Sequence, residues 1–168
     1  EFRRVLFRSE FVALLKSNAA KMQYGSAGVG STTHLACTLL NSRIGVTVAH
    51  VPYRGSAPAA NDLMSGQIDY LCGNLGGALP RIQSGHEKAL ALLSKKRSSL
   101  MPELATAHEG GITDFDVPTW TAFFLPKGAP SAIVDKLNKA AHDAMDTPDL
   151  KKRMADVGVT GKIGRAHV

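Results

Sequence analysis

Residues 25–32 read Gly-Ser-Ala-Gly-Val-Gly-Ser-Thr, and it is here that residue type and spacing favour chemistry. Glycines let a backbone come close to a ligand, and the first turn of a helix leaves N–H groups without intrahelical partners at the positive end of its dipole. A strand that runs into such a turn and out into a helix is therefore an anion-binding arrangement. The hydroxyls of Ser26, Ser31 and Thr32 add possible donors. More specialised chemistry is not supported by the spacing. A P-loop needs Lys where Ser31 stands, and the order Gly25, Gly28, Gly30 does not match the dinucleotide fingerprint. No G-x-S-x-G elbow presents Ser26 or Ser31 as a nucleophile. The plain alternative is a strand-to-helix connection without a ligand.

The other chemistry-bearing side chains are scattered. The six histidines lack the H-x-x-x-H and H-x-x-E-H spacings that put two metal ligands on one helix face, and His34 reads as a local hydrogen-bonding or packing residue. Asp62 and Asp69 have no carboxylate or His partner at short spacing and read as solvated or strand-end residues. Cys37 and Cys72 lie 35 residues apart, outside any C-x-x-C pair. Each falls in an apolar segment, so they read as two buried small hydrophobes in preference to a disulfide. Trp120, Phe123 and Phe124 belong to an extended apolar run that reads as core more readily than as an aromatic site. No metal or cofactor is implied.

The elements that must position the glycine turn follow from periodicity. Phe11, Leu14 and Leu15 mark a helix over residues 10–17, and Lys21 to Gly25 reads as a strand leading into the turn. Thr32, Leu35, Ala36, Leu39 and Leu40 then repeat at helical spacing, predicting a helix over 31–42 with this stripe inward. Val46 to Val51 is a second strand, followed by the turn Pro52 to Gly55 and a short helix from about Pro58 to Met64. Ile68 to Cys72 is a third strand, with a glycine-rich turn and a helix over Ala78 to Gln83 after it, and Lys88 to Leu93 is a fourth. This alternation predicts an α/β fold with a mainly parallel sheet covered by helices on both faces.

The rhythm ends after Ser94. Residues 98–113 read as a loop with a short helix at Glu103 to Glu109, and Phe115 to Leu125 as an extended segment. A helix then starts at Pro130 with Ile133, Val134, Leu137, Ala141 and Ala144 on one face, a stripe that needs a partner. A last helix runs from Pro148, with Thr147 as N-cap and Gly158 as its C′ residue.

At 44% hydrophobic and 20% charged residues the composition supports one packed core and argues against disorder. No apolar run is long enough to span a membrane. Residues 1–9 (EFRRVLFRS) and 162–168 (KIGRAHV) resemble translated sequencing-adapter DNA and are set apart from fold reasoning. The first segment sets Glu1 against Arg3, Arg4 and Arg8, and the last carries Lys162 and Arg165, so +2 of the formal +6 charge remains in the interior. The remaining Lys and Arg are scattered without an aromatic-interleaved patch, which excludes nucleic acid as the expected partner.

Four segments sharpen the anion-site reading: YGSAGVGSTTHLA (24–36), HVPYRGSAPAANDLMSGQIDY (50–70), GNLGGALPRIQSG (73–85) and FFLPKGAPSAIVDKLN (123–138). In this order and spacing they resemble the Bug family of periplasmic solute receptors, the binding component of tripartite tricarboxylate transporters, over residues 10–161. The resemblance implies a type II periplasmic-binding-protein architecture, two α/β lobes with a small carboxylate in the cleft. Residues 10–118 would form a near-complete second, ligand-binding lobe. Residues 119–161 would supply the crossover and the C-terminal helices of the first lobe, whose other half and signal peptide would precede residue 10. Carried over position by position, the ligand loop falls on Ser26, Ala27, Gly28, Gly30, Ser31 and Thr32, with Asn74 and Tyr53 at neighbouring strand ends. The family implies a periplasmic, monomeric, non-catalytic receptor without a cofactor, delivering a small carboxylic acid to membrane permease subunits. The rival from another class is a small acyl- or phosphoryl-transfer enzyme using the turn at 25–32, with His34 as the base on Ser31 or Thr32.

Overall fold

The computed structural model describes residues 8–113, 115–117 and 122–156. The chain divides into two compact units, Glu1–Thr119 and Trp120–Val168. The first unit opens with α1 (Arg8–Asn18) and a 3-10 turn (Ala19–Lys21), then alternates β1 (Gln23–Ser26), α2 (Thr32–Ile44), β2 (Ala49–Pro52), α3 (Ser56–Ser65), β3 (Tyr70–Leu71) and α4 (Leu75–Gln83). The strands form a parallel three-stranded sheet in the order β2-β1-β3. Tyr24 stands level with His50 on one side and Tyr70 on the other. With β1 central, the chain leaves all three strands at the same edge of the sheet, where open α/β sheets place ligands.

The strands begin later than their apolar runs suggest because helix ends consume the preceding residues. Val46 donates its N–H to the Asn41 carbonyl at 2.9 Å, closing the end of α2, so β2 cannot start before that cap is complete. The same happens after α3, where Gln67 and Ile68 both donate to the Asp62 carbonyl. Met22 likewise donates to Ala19 before β1 begins.

Lys88 to Leu93 is not a fourth strand of the sheet. Among the described residues it forms an isolated parallel bridge between Leu92 and Thr106, where Leu92 donates to Ala105 and accepts from Ala107, and its Leu93 carbonyl accepts the Val117 N–H. Those backbone groups are thereby committed to the following loop. The helix expected over Glu103 to Glu109 is reduced to a 3-10 turn, His108–Gly110. Side chains compete with the helical ladder here: the Glu109 carboxylate accepts the Thr106 N–H at 2.7 Å, and Arg97 donates to the Pro102 carbonyl at 2.9 Å.

The core of this unit joins Leu15 of α1, Met22, Tyr24, Leu40, Tyr70 and Phe115, all buried. Burial of each such side chain contributes roughly 1.5–3 kcal/mol. Two readings of α2 need correction together. Cys37 and Cys72 are not separate thiols but a disulfide, with Cα atoms 5.5 Å apart. The buried stripe is Ala36, Cys37, Leu40, Asn41 and Ile44, while Leu35 stays 56% exposed and Thr32 is exposed as well. The disulfide and a buried hydrogen bond from the Tyr70 hydroxyl to Asn41 Oδ1 at 2.7 Å fix the rotation of α2 against β3. An apolar count alone gives neither Cys37 nor Asn41 that weight.

The second unit holds α5 (Ser131–Met145) and α6 (Pro148–Asp156). Ile133, Val134 and Leu137 of α5 are exposed, and Phe123 and Phe124 ahead of it are 95% and 82% exposed. The expectation that this run lies in a core is not met for these two, because apolarity is a local property and the partner that would cover it is not. Trp120 and Gly158 lie outside the described residues. Thr147 does not cap α6 with its hydroxyl, which donates back to the Ala144 carbonyl at 2.6 Å. Among the described residues no helix is long and apolar enough to cross a membrane.

Candidate functional site

Ser26 ends β1, residues 27–31 turn over the sheet edge, and Thr32 opens α2. Gly25 is required by close approach: a Cβ there would run into the Ile68 side chain and lie 3.2 Å from the Tyr53 ring. Gly28 is required by conformation, with φ +129°, and a Cβ would also sit 3.3 Å from the Tyr53 carbonyl oxygen. Gly30 also has positive φ, and Val29 stands between the two with its side chain exposed.

The turn is assembled by its own side chains. The Ala27 N–H donates to Thr33 Oγ1 at 2.8 Å, the Gly28 N–H to Ser26 Oγ at 3.1 Å, and the Gly30 N–H to His34 Nδ1 at 3.1 Å. Ser31 caps α2: its hydroxyl donates to the Gly28 carbonyl at 2.7 Å and accepts the His34 N–H at 3.3 Å. The Ser31 N–H also donates to Gly28. Most amides expected to face a ligand are thus engaged within the protein. The N–H groups of Val29, Thr32 and Thr33 have no protein acceptor among the described residues. They sit at the crest of the turn and the start of α2, where the helix dipole favours an anion.

The neighbouring strand ends buttress this turn. Tyr53 and Gly55, after β2, donate their N–H groups to the carbonyls of Ser26 and Ala27 at 3.0 and 3.2 Å. The Tyr53 hydroxyl points away from the turn, donating to Asp62 Oδ2 at 2.7 Å, and burial followed by that bond pushes it up to about 12. Asp62 is therefore a partner for Tyr53, and Asp69 Oδ2 accepts the Gln23 N–H at 2.6 Å, so neither is merely solvated. Asn74 is exposed at the start of α4, where its carbonyl accepts the Ala78 N–H.

Two residues absent from the sequence reading enter here. Thr33 is the strut under Ala27, and His50 of β2 approaches Ser26 Oγ with Nε2 at 2.7 Å. The signal for His50 lay in strand pairing: once β1 and β2 are parallel and Tyr24 faces His50, Ser26 follows two residues on along the same face. The rings of His50 and His34 stack with centroids 4.0 Å apart, and Tyr24 stacks on His50 at 4.9 Å. Burial, then the adjacent His34, hold His50 below the ordinary imidazole value. His34 itself has the local hydrogen-bonding role expected of it. Among the described residues no cluster of three or more His, Cys, Asp or Glu could hold a metal.

Comparison with known proteins gives the family. The family model described as tripartite tricarboxylate transporter family receptor matches residues 7–166. A UPF0065 protein in the tcbD-tcbE intergenic region of a Pseudomonas species is 34% identical over 161 residues, 95% of this chain and 48% of that protein. Among solved structures, MatC from Rhodopseudomonas palustris with bound malate superposes with a TM-score of 0.88 at 35% identity, over 94% of this chain and 53% of MatC. The periplasmic binding protein BugD gives 0.85 at 37% identity, over 90% and 50%. The chain thus spans about half the length of the relatives it matches. With its parallel α/β sheet and glycine turn, it belongs to the tripartite tricarboxylate transporter receptor family, the Bug-type periplasmic binding proteins.

Proposed function

We propose that this chain is the ligand-binding lobe and part of the partner lobe of an extracytoplasmic receptor that holds a small carboxylate and delivers it to the permease subunits of a tripartite transporter. The observation that carries the reading is the turn at 27–31, braced from four sides yet leaving Thr32 and Thr33 N–H groups unpaired at a helix start. Such donors stabilise a carboxylate without a counter-charge, and a braced loop loses little freedom on binding. In this reading Ser26, Ala27, Gly28, Gly30 and Ser31 shape the turn, Thr32 donates to the anion, and Asn74 and Tyr53 border it. The malate in MatC makes four-carbon dicarboxylates the first ligands to try. The Cys37–Cys72 disulfide supports an oxidising compartment, in keeping with export to the periplasm by a signal peptide.

The Ser26–His50 contact is the feature an acyl-transfer reading would use. Ser26 is 1% exposed, and its hydroxyl also bonds both the N–H and the carbonyl of Gly28, which suits a brace better than a nucleophile. His34, the base that reading required, is spent on Gly30. The test is a thermal-shift screen of the complete reading frame against mono-, di- and tricarboxylates, aromatic acids and amino acids. A carboxylate present at 100 times its Kd stabilises by about 2.7 kcal/mol. Stabilisation by no carboxylate would remove the receptor reading.

A further inference from the structure

Two imidazoles stand behind the turn, and the receptor reading gives them no task. His34 lies on the first turns of α2 and His50 on β2, 16 residues apart in sequence and stacked ring on ring. Each holds a different part of the turn: His34 Nδ1 accepts the Gly30 N–H, and His50 Nε2 meets the Ser26 hydroxyl that in turn bonds both polar groups of Gly28. An Nδ1 that accepts is unprotonated, so His34 must be the neutral Nε2–H tautomer while it holds Gly30. A proton on that nitrogen would set two donors against each other and release the Gly30 amide.

We propose that His34 and His50 are positioning residues of the carboxylate turn, a stacked pair of neutral imidazoles that keeps Gly28 and Gly30 in place, so that protonating the pair unfastens the turn and weakens carboxylate binding. The inference rests on the receptor reading for its ligand but not for its geometry. The groups facing the pair are Tyr24 of β1, whose hydroxyl lies 3.2 Å from Thr38 Oγ1 of α2, and behind it Tyr70 of β3. Charged residues on these and adjoining segments include Arg43, Arg54, Asp62 and Asp69, and none of the four hydrogen-bonds or forms an ion pair with either ring; Asp62 serves Tyr53 and Asp69 serves Gln23. Among the described residues no carboxylate hydrogen-bonds to either ring to stabilise an imidazolium. Two imidazolium rings at 4.0 Å would also repel each other.

The sign of the linkage is fixed by the direction of the shift. With His50 held below 6.5 in the folded chain, the unfolded chain binds the proton first, so its contribution is complete above about 6.5 and is lost as pH falls below that value.

The test uses the 168-residue chain, 15N NMR and malate as the probe. Between pH 8 and 5 the imidazole nitrogens of His50 should titrate with a midpoint below about 6.5, and the amide of Gly30 should move over the same range. Malate-induced shifts of the Thr32 and Thr33 amides, followed at pH 7.5 and 5.5, should show affinity falling on acidification. The double substitution His34→Asn and His50→Gln keeps an amide group near Nδ1 and Nε2 but removes both imidazoles. Whatever its affinity at pH 7.5, it should lack the extra loss, and because malate's own protonation affects both proteins alike, the difference between them isolates the pair. The expected difference is about tenfold, the effect of one lost hydrogen bond. Equal slopes in the two proteins, a Gly30 amide that does not titrate, or tighter binding at pH 5.5 would overturn the proposal. If millimolar malate shifts no turn amide of this chain at any pH, the affinity half of the proposal fails, while the receptor reading is decided separately by the thermal-shift screen of the complete reading frame. The Gly30 titration would still decide whether the pair fastens the turn.

Discussion

At Gly28 two independent demands meet, a backbone in the left-handed half of conformational space and a neighbouring carbonyl where a Cβ would stand. Gly28→Ala should therefore cost about 1–3 kcal/mol in urea denaturation. It should also weaken carboxylate binding by more than its stability loss explains, because Gly28 is the point at which Ser26 and Ser31 both grip the turn. A variant of unchanged stability would show that the turn is less constrained than these contacts require. The glycine pattern was legible in the sequence at this scale, as was the local role of His34. What each amide donates to was not, since Thr33, Ser26 and His34 absorb donors that an open helix end would offer to a ligand.

At the scale of elements, α2 is tied to the chain beyond β3 by the Cys37–Cys72 disulfide. Closing a loop of 35 residues stabilises by roughly 3–4 kcal/mol through the unfolded chain. Reduction, or Cys37→Ala with Cys72→Ala, should lower the unfolding free energy by about that amount in chemical denaturation. A change below about 1 kcal/mol would mean the link closes no loop that matters. A second element-scale prediction concerns the loop after the sheet, where the Arg97 guanidinium meets Glu109 in a forked pair and Thr106 adds its N–H. The Arg97 hydrogen bonds, then the Thr106 N–H, hold Glu109 down at about 2, against an ordinary 4.5. Its contribution is present above about 4.5 and is lost as pH falls toward 2. The stability gap between wild type and Glu109→Gln should accordingly narrow on acidification from pH 5 to about 2.5, as read by urea denaturation. A gap constant with pH would place the stabilisation elsewhere.

For the whole molecule, the share of each relative that this chain covers sets the expectation. Receptors of two lobes hold a ligand from both sides, and the chain spans about half the length of the proteins it matches. Calorimetry on the isolated chain should show carboxylate binding weaker than micromolar, and the complete reading frame should bind more tightly. Micromolar affinity in the isolated chain would mean that the turn at 27–31 needs no opposing donors. The exposed stripe of Ile133, Val134 and Leu137 on α5 belongs to the same scale, an amphipathic face whose pattern is written in the chain while its covering is not.

The sequence by itself determined the order of strands and helices, the glycine turn at a strand's end and, through four spaced segments, the family. These are readable because periodicity, caps and turn residues act within a few positions of one another. Only the tertiary structure decided that Cys37 meets Cys72, that Ser26 meets His50, that Lys88 to Leu93 stays out of the sheet, and which amides at the start of α2 remain unpaired. Each of those outcomes depends on strand register and helix rotation, which are set by packing between residues dozens of positions apart.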